Sequence, residues 1–76
     1  MAKIISFEKG IGKVKNNITD VECIYNVDIL NGEKFVAFST FGSRGRKDSG
    51  KASQVLHINK ESAKEIVEIL KQEFGL

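Results

Sequence analysis

The chain has 76 residues, a net charge of +2 and 41% apolar side chains. That is one small soluble domain, too short for two domains with a cleft between them and too apolar to be disordered. No stretch approaches the roughly 18 apolar residues of a membrane helix, and the start carries no leader pattern, so a cytoplasmic location without membrane contact is expected.

Residues 2–8 read as a first strand, broken by Lys9-Gly-Ile-Gly-Lys. Residues 14–19 fit either a short edge strand or a loop. Residues 21–30 alternate strongly: Val21, Cys23, Tyr25, Val27 and Ile29 stand between Glu22, Asn26 and Asp28. Asn31-Gly32 then accepts the positive φ angles of a type I′ turn, which predicts a hairpin with residues 34–41 as the return strand. Residues 42–51 form a loop of glycine, serine and basic side chains, and residues 52–58 a further strand. Asn59 can cap a helix from Lys60 to about Phe74, with Ala63, Ile66, Val67, Leu70 and Phe74 on one face and Gly75 as a stop. The expected fold is α+β: an antiparallel sheet of four strands, or three, followed by one C-terminal helix, β-β-β-β-α.

A two-residue turn fixes register. Leu30 opposite Glu33, Val27 opposite Val36, Tyr25 opposite Phe38 and Cys23 opposite Thr40 are expected on the face that the helix covers. Phe38 and Leu70 are expected in the core between helix and sheet. Asp28 with Phe35, Asn26 with Ala37, Ile24 with Ser39 and Glu22 with Phe41 are expected on the other face, joined by Ser53, Val55 and His57. Two phenylalanines on an open face offer stacking platforms to bases. They could equally form a dimer contact or a second small core.

Charge is unevenly spread. Residues 3–15 hold four lysines, Lys13 and Lys15 among them, against Glu8, and residues 44–51 hold Arg44, Arg46, Lys47 and Lys51 against Asp48. Such patches suit a polyanion. The glycines of the second patch lack the spacing of a phosphate-binding loop. The loop could enter a duplex groove as an arm, or simply be solvated.

Chemistry is not expected, nor any cofactor. Cys23 reads as a small buried hydrophobe. His57 is the lone histidine and, with a single cysteine, builds neither a triad nor a usual zinc site. Glu61, Glu65 and Glu68 read as a solvated helix face.

Tyr25-Asn-Val-Asp-Ile-Leu-Asn-Gly-Glu-Lys-Phe-Val-Ala-Phe-Ser, then Arg44-Gly-Arg, then Ser53-Gln-Val-Leu-His-Ile and a closing helix resemble one repeat of the Pur-type proteins. They are also similar to the fold of the transcriptional positive cofactor four. The resemblance spans residues 3–74 and lies in element order and hairpin placement. It implies a curved antiparallel sheet followed by one helix, a homodimer, and binding of single-stranded DNA or RNA by aromatic and basic residues. Phe35, Phe41, Arg44 and Arg46 correspond by position to binding residues. The residues expected to touch nucleic acid are therefore Lys13, Lys15, Phe35, Phe41, Arg44, Arg46, Lys47, Lys51 and His57. Two rival expectations are a duplex-binding protein with a basic β-arm and a protein-interaction or assembly module.

Overall fold

The computed structural model describes residues 1–42 and 51–76. Among these described residues four strands and one helix follow in chain order: β1 (Ala2–Lys3), β2 (Cys23–Leu30), β3 (Glu33–Thr40), β4 (Gln54–Ile58) and α1 (Lys60–Phe74). They make one sheet in the order β1-β4-β3-β2, and the helix follows directly on β4.

The hairpin forms as its turn chemistry requires. Asn31 and Gly32 both take positive φ, 53° and 80°. Every expected pair from Cys23–Thr40 to Leu30–Glu33 is in register. Strand alternation corrects one facing: Leu30 lies with Asp28, not with Val27, and Glu33 lies with Phe35. β3 pairs with β4 antiparallel, Val36 opposite Ile58 and Ala37 opposite His57.

The expected all-antiparallel sheet is wrong. β1 runs parallel to β4, with Ala2 opposite Leu56 and Lys3 opposite His57. A tight turn forces antiparallel pairing only on the strands it joins. β1 reaches β4 through no such turn and takes β4's outer edge, leaving β2 as the other edge strand of the sheet. The Ile4 N–H extends the ladder to the His57 carbonyl at 2.9 Å.

The first strand is also far shorter than residues 2–8, and residues 14–19 form none. Gly10, Gly12, Asn16 and Asn17 interrupt any alternation there and disfavour pleated backbone. The segment instead runs back past the helix, where Phe7 lies beside Glu65 and Ile69 and the Lys9 ammonium comes within 3.9 Å of Glu73.

The helix starts at a complete capping box. The Ser62 N–H donates to Asn59 Oδ1 at 3.1 Å, and the Asn59 N–H donates to Ser62 Oγ at 3.0 Å. Two first-turn donors are satisfied in this way. Asn59 Nδ2 also donates to Glu33 Oε2 at 2.9 Å, tying the helix start to the hairpin. Gly75 ends the helix in the left-handed conformation, φ 69°, and its N–H donates to the Lys71 carbonyl.

The core is small. Ile58 (8% exposed) lies beside Val36 and Ala63 where the helix begins. The helix thus meets the face expected for it only at its start, beside Ile58 and Val36, and leaves Leu56 40% exposed and β2 open. Tyr25 and Val27 stay 67% and 55% exposed. Cys23, expected to be buried, is exposed for the same reason: it sits on the edge strand that the helix does not reach. Leu70, expected in the core, is 39% exposed. No helix among the described residues is long and apolar enough to cross a membrane.

Candidate functional site

The sheet face away from the helix assembles its side chains by strand register. Opposite residues on paired strands point to the same side. Lys3, His57, Ala37 and Asn26 therefore form one rank across all four strands. Phe35 and Asp28 form the neighbouring rank, and Val55, Ser39 and Ile24 the one beyond.

Phe35 is the centre of the cluster. The His57 ring meets it edge to face, centroids 6.3 Å apart and planes at 86°. That is the geometry preferred by aromatic quadrupoles. The Lys3 ammonium stands 6.0 Å from the Phe35 centroid, at the outer limit of a cation–π interaction. Phe35 and His57 are half-buried and Lys3 exposed, so ring surface and a positive charge face solvent together. Ala37, next to Phe35 along the face, is small enough to leave the ring approachable.

The charge of this face is graded. Lys3 marks one edge of the sheet. The hairpin end carries two carboxylates, Asp28 opposite Phe35 and Glu33 two residues before it. Asp28 accepts the Ile29 N–H on Oδ1 at 2.8 Å. Lys51 lies just before β4, at the end of the sheet remote from the hairpin turn, and is exposed.

The structure brings two of the nine residues expected to touch nucleic acid, Phe35 and His57, into one cluster. Lys13 and Lys15 are exposed in the irregular segment after β1. Arg44, Arg46 and Lys47 lie outside the described residues. Phe41, expected as a stacking platform, is 6% exposed and offers no open ring. It falls just beyond β3, where the chain is drawn in by Ser53: Gly42 N–H donates to Ser53 Oγ at 2.6 Å, and Ser53 N–H donates to the Thr40 carbonyl at 2.7 Å. Sequence reasoning missed Lys3, Asn26 and Asp28 as parts of the site. The register of the hairpin already held Asn26 and Asp28. Lys3 had no such signal, because its place depends on a parallel pairing far away in sequence.

A second feature is the amount of apolar surface left open. The chain exposes 6803 Å². A compact monomer of 8.4 kDa exposes about 4,600 Å². Part of the surplus belongs to the irregular segment, where Ile11 and Val14 are exposed. Another part is ordered: Tyr25 and Val27 on β2, and Val67, Leu70 and Phe74 along the helix stripe.

No group of three or more histidine, cysteine, aspartate or glutamate side chains is arranged to hold a metal among the described residues. Comparison with family models, with curated proteins and with solved structures finds no match for this chain.

Proposed function

We propose that this protein binds single-stranded nucleic acid on the sheet face around Phe35, without catalysing a reaction. The observation that carries this is the juxtaposition of an approachable ring with an ammonium group: Phe35 beside His57 and within 6.0 Å of Lys3. A base has a π-face to lay on the ring, and its phosphate has a cation beside it. Lys51, Lys13 and Lys15, with the basic residues 44, 46 and 47, extend positive charge along the chain beyond the cluster. Duplex DNA suits this face less, because its bases are stacked on each other and cannot lie on the ring.

The protein acts as a homodimer in this proposal. Its ground is the ordered apolar surface left open, Tyr25 and Val27 on β2 and Val67, Leu70 and Phe74 along the helix stripe, a kind of patch that monomers rarely leave uncovered. A second copy seated on the helix stripe and the β2 side would cover these side chains and leave the Phe35 face open. The same exposed apolar surface favours a second reading, an assembly module in which charge is incidental.

Gel shifts with single-stranded and duplex oligonucleotides at two salt concentrations test the proposal. Single strands bound more tightly, and less so as salt rises, support it. Tighter duplex binding moves the basic arm to first place. No binding to either leaves the assembly module.

A further inference from the structure

The Phe35 face carries opposite charges at its two ends, and a bound strand must orient to both. Asp28 stands directly opposite Phe35 on β2, with one carboxylate oxygen held by the Ile29 N–H at 2.8 Å. Oδ2 has no partner among the described residues, and the side chain is exposed. Lys3 approaches the same ring from the β1 side, three strand intervals from β2, or about 14 Å. A phosphate is attracted to Lys3 and repelled by Asp28. A base on the ring therefore turns its edge, not its backbone, toward β2.

We infer that Asp28 and Asn26 form a base-edge subsite beside the Phe35 platform, selecting cytosine over thymine, while Lys3 holds the adjoining phosphate. This rests on the proposed single-strand binding and adds a base preference to it. A carboxylate only accepts hydrogen bonds. On the open edge of a single strand, cytosine offers the two N4–H donors of its amino group, whereas thymine offers one imide N3–H flanked by the O2 and O4 acceptors, which repel a carboxylate. The two pyrimidines have similar rings to stack, so the carboxylate is what separates them. The Asn26 amide, in the next rank on the same strand, can donate or accept and so can serve the rest of the base edge without erasing the distinction.

The test compares equal-length oligodeoxycytidine and oligothymidine by fluorescence anisotropy on the full chain. The wild-type chain is expected to bind the cytidine strand at least about fivefold more tightly, the lower end of what one base-edge pair discriminates. Asp28→Asn keeps an oxygen for the Ile29 N–H but adds a donor, so the ratio should fall to near one. Lys3→Gln should weaken both strands by the same factor and keep the ratio, with a salt slope shallower by about 0.7. Equal binding of the two strands by the wild type, or a ratio untouched by Asp28→Asn, overturns the subsite and leaves single-strand binding standing. No binding of either strand overturns both. Circular dichroism of each variant separates a weakened site from an unfolded chain.

Discussion

Phe74→Ala should break association while barely touching the fold. The ring lies at the last turn of α1 and is 73% exposed. Fully burying a phenylalanine contributes about 1.5–3 kcal/mol. Covering the exposed share on a second copy would then contribute about 1.1–2.2 kcal/mol per ring, and two-fold symmetry doubles this to about 2–4 kcal/mol. Its removal raises the dimer dissociation constant about 30- to 700-fold. Within a single chain the already buried share of the ring contributes only about 0.4–0.8 kcal/mol. Sedimentation equilibrium across a concentration series measures the first quantity. Urea unfolding at concentrations below the dissociation constant measures the second. Wild-type chain that stays monomeric at high concentration would refute the homodimer. A Phe74→Ala chain that associates as the wild type does would show that the helix stripe is not the interface.

Three further outcomes follow from the core, the cap and the binding face. Ile58→Ala should cost about 2–5 kcal/mol in unfolding free energy, because the side chain is 8% exposed where helix meets sheet. Asn59→Ala should cost about 0.5–2 kcal/mol, since it removes the acceptor for the Ser62 N–H and the donor to Glu33 together; thermal melts should show it as reduced stability with α1 intact at low temperature. Phe35→Ala should lower single-strand affinity by about 1–3 kcal/mol at a nearly constant salt slope, whereas neutralising Arg44 and Arg46 together should flatten the slope by about 0.7 for each phosphate no longer neutralised.

Local chemistry was legible and distant pairing was not. Asn31-Gly32 fixed the hairpin register because a two-residue turn leaves no freedom in pairing. Asn59 and Gly75 fixed both helix ends because capping involves only neighbours in sequence. The direction of β1 depends on pairing between Lys3 and His57, which nothing local encodes. The burial of Cys23 and Leu70 was overestimated for a related reason. Alternation tells which side a residue points to, but not how far the covering element extends. The helix packs over β4 and leaves the edge strand β2 open. Phe41 errs in the opposite sense: its strand parity puts it on the open face, but it lies past the end of β3, where Ser53 folds the chain inward.

The two faces of the sheet are assigned by the same placement of β1. Parallel docking puts Ala2 opposite Leu56 on the helix side and Lys3 opposite His57 on the other. Shifting that register by one residue would move Lys3 to the helix side and take the cation away from Phe35. The Ile4 N–H to His57 carbonyl bond holds the register, and the Lys9–Glu73 pair, exposed to screening, adds little to it. The side chains that can anchor the segment are apolar: Ile4 and Phe7 are half-buried, and Phe7 lines a shallow recess together with Glu65 and Ile69 of the helix. Packing on the helix side thus positions a charge on the Phe35 side. A substitution at Phe7 touches no residue of the Phe35 cluster, yet it loosens the segment that carries Lys3.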